Sequence, residues 1–329
     1  MITEPMAQVR RLSGRAPGGM WWVAWRQHRF LLTMCLGVLA ALSMAMLVFR
    51  LIYDAAQPST GFILGEYNRI WLLLRLSLLV LPVAFGALAG SVVFGQEWER
   101  GTHVFALSQS VGRTRWYWTK CAVVVAPLTL AVLGLGLLAQ WVVTAPGLEA
   151  RIPMQIPDFQ LLGAVPAALT LLAFGIGLPA GLLIRSLAAA MSLAFVAATV
   201  LTLTLGYGLY TDLVPHDRIV TPLASEEFVE IPGMPLFGDY GYLDAAGHEA
   251  LPPACHVEAV AVGTLHPGSV DPNVQWRECM AHAGIVSTYT GYIDDDRRGQ
   301  LTLVLSGICA AVAAAGLTLG WIRVRRRVL

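Results

Sequence analysis

Phe94-Gly95-Gln96-Glu97-Trp98-Glu99-Arg100-Gly101-Thr102 closes one long apolar run of the chain. The polar stretch it opens continues through Gln109-Ser110-Val111-Gly112-Arg113-Thr114-Arg115-Trp116 to Lys120, where another apolar run begins. The island holds Glu97, Glu99, Arg100, Arg113, Arg115 and Lys120. Helix–helix connections usually take about 2–8 residues, so a segment this long implies structure of its own and a partner to use it.

The runs on either side set the class. The chain has 329 residues, 56% of them hydrophobic and 13% charged, with a mean hydropathy of +0.63. A soluble domain carries about 25% charged residues. Residues 30–49, 76–96, 121–148, 159–184, 186–211 and 299–322 contain no Asp, Glu, Lys or Arg. A helix needs about 20 apolar residues to cross hydrocarbon, and in lipid every backbone group must be paired within the protein. The sequence therefore predicts an all-α integral membrane protein with six transmembrane helices. The first run exceeds the roughly 7–15 residues of a signal-peptide core, and Asp54-Ala55-Ala56 is a poor cleavage site, so it reads as an uncleaved first span.

Cationic residues orient the spans. Arg10, Arg11, Arg15, Arg26 and Arg29 precede the first span, and the island adds four cations. Arg185 lies between the fourth and fifth spans, and Arg323, Arg325, Arg326 and Arg327 follow the sixth. These segments are expected in the cytoplasm, with both termini inside. The opposite side takes Arg69, Arg151 and residues 210–298, where fourteen acidic residues face four arginines. The chain then divides into a cytoplasmic N-terminus with an interfacial helix (1–29), helices one to five with a cytoplasmic loop at 95–120 (30–209), a mixed extracytoplasmic domain (210–298), and the sixth helix with a basic tail (299–329).

Trp21, Trp22 and Trp25 fall on one helical arc bordered by Arg26 and Arg29. They suit either a helix lying in the membrane interface or an aromatic-belt lead-in to the first span. Arg75, near the outer end of the second span, reads best as a snorkelling side chain. The fourth span is rich in Gly and Pro (Pro166, Gly175, Gly177, Pro179, Gly181) and the fifth in Ala. Small residues at such spacing permit close helix packing, or reflect only an alanine-rich chain.

Of five cysteines, Cys35, Cys121 and Cys309 lie in or at spans and read as packing residues. Cys255 and Cys279 are the pair in the outer segment, and outside the cytoplasm a disulfide is the simplest reading. A metal site built from Cys255, His256, Cys279 and His282 is the alternative, although its spacing is irregular.

Lys120 is the chain's one lysine, and it lacks the glycines of a phosphate loop. Nucleophile-elbow and H-E-x-x-H patterns are missing. The six apolar runs hold no Asp or Glu to couple an ion gradient. A solute mover of this design takes its energy from another subunit.

The pattern Glu97-x-Glu99-x-Gly101-Thr102, then Gln109-Ser110-Val111-Gly112-Arg113-Thr114-Arg115-Trp116 and Lys120, resembles the cytoplasmic loop of ABC transporter permeases of the type-2 exporter superfamily, especially actinobacterial members. Gly112 stands where Ser is usual, and Gln109 where many members have Pro. The layout is similar too: an interfacial helix, six spans, this loop between spans two and three, a tight turn between four and five, and an outer domain between five and six. The resemblance implies that the island docks a separate ATP-binding subunit through Glu97, Glu99, Arg100, Gly101, Thr102, Gln109, Ser110, Arg113, Arg115 and Trp116. ATP and Mg would sit on that partner, with no cofactor and no catalysis on this chain. A second permease copy, identical or paralogous, and membrane lipid are the other expected partners, with no nucleic acid. The site would be the plasma membrane, crossed many times, and the cargo amphipathic or hydrophobic. Physically, Gly101 can end a helix and Thr102 cap the next, while Arg113 and Arg115 can pair with acids or lipid phosphates. The competing reading is a non-transporting sensor or assembly protein whose outer domain binds a ligand or protein.

Overall fold

The computed structural model describes residues 19–56, 61–101, 112–144, 154–155, 158–208, 217–223, 236–251 and 272–326. Among the described residues the helices are α1 (Gly19–Ala56), α2 (Gly61–Glu99), α3 (Arg113–Val143), α4 (Val165–Leu183), α5 (Leu187–Gly208), α6 (Pro272–His282) and α7 (Asp295–Arg326). All except α6 are long and apolar enough to cross a membrane, giving six candidate spans, as the charge-free runs predict.

The expected interfacial helix is not a separate element. α1 runs unbroken from Gly19 through the first span to Ala56. At about 1.5 Å per residue it is far longer than a hydrocarbon core of about 30 Å. No Pro or capping residue lies between Trp25 and Phe30 to break it, so the tryptophans form a lead-in to the span. The expected loop at 95–120 is also shorter than its polarity suggests, because α2 continues to Glu99 and α3 already starts at Arg113. Charged side chains at the edge of a bilayer do not oppose helix; Glu and Arg are good helix formers.

α4 is the centre of the bundle, with most of its residues buried. Its glycines explain how. A Cβ at Gly181 would fall 2.3 Å from the Ser91 carbonyl oxygen of α2, and one at Gly177 would fall 2.6 Å from that of Ala87. From the other side, Gly86 and Gly90 would each meet α4 carbonyls at 2.4 Å. Backbone thus lies on backbone along the α2–α4 seam, as small-residue interfaces in membranes allow. Gly175 is pressed against Ala313 of α7 in the same way. The alanines of α5 divide: Ala190, Ala194, Ala198, Thr202 and Gly206 make one buried stripe at four-residue spacing, while Ala188 and Ala189 are exposed.

Polar ties also cross the bundle. Arg50 of α1 pairs with Asp54 at 2.8 Å and donates to the Trp141 carbonyl of α3 at 3.0 Å, adding to the Thr144 hydroxyl a second donor for that carbonyl in the last turn of the helix. Tyr117 of α3 donates its hydroxyl to the Leu317 carbonyl of α7 at 2.6 Å. Tyr117→Phe should therefore cost about 1 kcal/mol, readable as a small fall in the thermal midpoint in detergent; an unchanged midpoint would mean the tie contributes nothing.

Opposite the island, a five-stranded sheet stands outside the helices. Its strands are β1 (Met154–Gln155), β2 (Asp217–Pro222), β3 (Leu236–Asp244), β4 (Glu249–Ala250) and β5 (Ile285–Ile293), in the order β1-β3-β5-β2 with β4 on β3. β1 runs parallel to β3, and the other pairs are antiparallel. With α6, the sheet makes a mixed α/β region that does not belong to the segment between helices five and six alone. β1 comes from the connection between α3 and α4. Alternate β5 residues Ile285, Ser287, Tyr289, Gly291 and Ile293 are buried, the period-two pattern of a half-covered strand. At the β3–β4 turn the Asp244 carboxylate accepts from the backbone N–H groups of Ala246 and His248, which holds its carboxyl below the usual range, the His248 bond acting most strongly.

Candidate functional site: a buried ion pair beneath the polar island

Helix period brings the ends of the island together. Phe94 and Glu97 lie three residues apart on α2, and Trp116 and Lys120 four apart on α3, so each pair shares one helical face. Those faces meet. Lys120, with 1% of its surface exposed, donates to Glu97 Oε1. Its ammonium lies 4.7 Å from the centre of the Trp116 ring and 5.7 Å from that of Phe94, a distance at which a ring face attracts a cation. Phe94 stacks on Tyr117 with centroids 5.1 Å apart, and Tyr117 leads on to α7 through its carbonyl bond.

α1 completes the cluster. Gln27 donates its side-chain amide to the same Glu97 oxygen. His28 is buried beside it, and among the described residues neither ring nitrogen has a hydrogen-bond partner. Three helices are thus pinned at one carboxylate. A buried pair of this kind is weak evidence for stability, because desolvation offsets the attraction. It does fix register: the α2 end, the α3 start and α1 cannot slide independently without stranding a charge.

Around this anchor the surface is polar and exposed. Gly101 adopts φ +67 after the last turn of α2, the left-handed conformation that commonly closes a helix. Glu99 reaches across to the turn between α4 and α5, accepting from the Leu187 N–H at 3.5 Å, where a carboxylate suits a helix start. Ser186 Oγ accepts from the Ala189 N–H in the same turn.

The ten residues expected to meet a partner therefore separate. Glu99, Arg100, Gly101 and Arg115 are exposed and Arg113 is half-buried. Glu97 and Trp116 are buried and face inward, so they hold the island and do not present it. Thr102, Gln109 and Ser110 lie outside the described residues. Cys279 is disulfide-bonded on α6, whereas Cys35, Cys121 and Cys309 are free and buried. Cys255 and His256, needed for the pair and for the alternative metal set, lie outside the described residues. Sequence reading passed over Gln27 and His28 as flank of the tryptophan stretch. The available signal was one lysine at the mouth of an apolar run, which must find an acid when buried.

Six helices long and apolar enough to cross a membrane, a short turn between the fourth and fifth, and a polar loop pinned between the second and third fit a multi-pass membrane protein. Residues 55–208 match the family model described as ABC-2 membrane transporter related. That segment, a little under half of the chain, is similar to ABC-2 type membrane transporters. The match takes in α2 to α5 and the whole island, and leaves nearly all of α1, β2 to β5, α6 and α7 beyond it. Comparison with curated proteins and with solved structures found no match.

Proposed function

We propose that the protein is the membrane subunit of an ATP-driven exporter at the plasma membrane, working as a dimer with separate ATP-binding subunits that carry ATP and Mg. The observation that carries this is the three-helix pin at Glu97. A loop that relays movement from a partner must be rigidly joined to the spans it moves, and the Glu97–Lys120–Gln27 cluster joins the island to α1, α2 and α3. The exposed Glu99, Arg100 and Arg115 form the docking face, with the island in the cytoplasm and the sheet outside, as the arginine distribution favours. ATP-driven closure of the partner would then tilt α2 and α3 together and shift the bundle between inward-open and outward-open forms. An amphipathic or hydrophobic cargo fits the apolar spans.

The test is co-purification from the native host with a subunit that carries an ATP-binding phosphate loop, followed by ATP turnover in lipid. Wild type should form the assembly, and Arg115→Glu should lose it by about tenfold or more in affinity if the docked charge pair is buried. The six spans should stay folded, since Arg115 lies on the exposed face. An Arg115→Glu chain that assembles and transports normally would return the lead to the sensor reading.

We further propose that Cys255 pairs with Cys279 in the outer domain. The bonded state of Cys279 and the three free membrane thiols support it, and such a staple suits a small, loop-rich domain. Mass mapping of unreduced protein should give a linked peptide pair. Two alkylatable thiols with a bound metal would select the Cys255, His256, Cys279, His282 set in its place.

A further inference from the structure

Trp21, Trp22 and Trp25 remain outside the account so far. They are 55%, 50% and 44% exposed, and with Ala122, Val123, Ala126 and Pro127 of α3 they line an open apolar cleft of about 460 Å³. That volume lies within the range of ligand pockets, roughly 300–1,000 Å³. The α1 wall is held in place from behind, since Ala24 and His28, one turn apart, are buried against the bundle. The opposite wall consists of short side chains, so the cleft is a slot with an aromatic rim. It contributes no polar group that would orient a sugar, peptide or nucleotide.

Charge is concentrated at one edge. The Arg26 guanidinium lies 5.2 Å from the centre of the Trp22 ring. Arg29 follows Trp25 by four residues and so shares its face of α1. Both arginines are exposed, and α1 carries no acid before Asp54 at its other end. Tryptophan prefers the depth of the lipid headgroups, and clustered arginines there attract anionic lipids. An apolar slot with a cationic rim at headgroup depth matches a molecule with a hydrocarbon tail and a negative head. A zwitterionic head would set its own cation beside the two arginines.

We propose that the cleft between α1 and α3 is a binding site for one anionic phospholipid, its acyl chain along Ala122, Ala126 and Pro127 and its phosphate on Arg26 and Arg29. The lipid then lies against α1 and α3, two of the three helices pinned at Glu97. The site stands independently of the ATP-coupling proposal, because it uses none of the docking residues.

The experiment uses the full chain in nanodiscs of equal phosphatidylglycerol and phosphatidylcholine, with lipids retained on gentle release counted by native mass spectrometry. Wild type should keep one phosphatidylglycerol per chain, favoured about tenfold or more over phosphatidylcholine. The double variant Arg26→Gln/Arg29→Gln should keep a lipid but lose the headgroup preference. Ala126→Trp, which fills the slot, should lose the lipid of either kind. Trp22→Ala tests the same point at an exposed rim position that does not load the interior, and should reduce retention severalfold. Equal retention of the two headgroups by wild type, no retained lipid at all, or a double variant with its preference intact would overturn the proposal. So would undiminished retention by Trp22→Ala.

Discussion

Lys120→Ala is expected to destabilise the protein by about 3–5 kcal/mol, the cost of leaving one buried charge without its partner. Glu97 would then lie buried beside Trp116 and Phe94 with only the Gln27 amide to satisfy it. Glu97→Ala should cost a similar amount by stranding the ammonium. The informative variant is the pair Glu97→Gln/Lys120→Met. It removes both charges, keeps an acceptor for Gln27 and fills the lysine's space, so most of the stability should return. Thermal unfolding in detergent distinguishes these outcomes. A single variant as stable as wild type would mean that water reaches the pair and that no pin exists.

Gly181→Val should disrupt the α2–α4 seam. Its Cβ would fall 2.3 Å from the Ser91 carbonyl oxygen, and Ser91 Cα would be 3.0 Å away. Backbone cannot rotate aside as a side chain can, so the two helices must part along their length. Overpacking of a well-filled interior costs about 1–3 kcal/mol, occasionally more, and here both faces of the seam are backbone. Loss of the folded, monodisperse protein is the expected result. Gly37→Ala provides the control, because nothing lies within 4 Å of a Cβ there, and alanine is the better helix former by about 1 kcal/mol. If Gly181→Val folds as well as Gly37→Ala, the close approach of α2 and α4 is not needed.

The six spans were legible because a charge-free run of sufficient length has one solution in lipid. The island was legible as unusual, because its six charges lie together between two long charge-free runs, 76–96 and 121–148. What the sequence could not distinguish was which charges face inward. Glu97 and Glu99 are two residues apart and chemically alike, but on a helix they point about 200° apart. One is buried on Lys120, and the other reaches the α4–α5 turn. Gln27 and His28 were invisible for a related reason: their role depends on how α1 crosses α3, a tertiary fact without a local pattern. The interfacial helix failed as an expectation because tryptophan and arginine mark membrane depth, not a break in the chain. β1 was missed because two residues carry too little pattern to announce a strand.

On the proposed function, the exposed face above the Glu97–Lys120 pin meets an ATP-binding partner. A photo-reactive amino acid placed at Arg115, in the chain expressed in its native host, tests it directly. Illumination in native membranes should join the two subunits from position 115, and not from Gly247 in the turn between β3 and β4. Crosslinks from Gly247 with none from position 115, or no crosslink to the ATP-binding subunit from either, would contradict it.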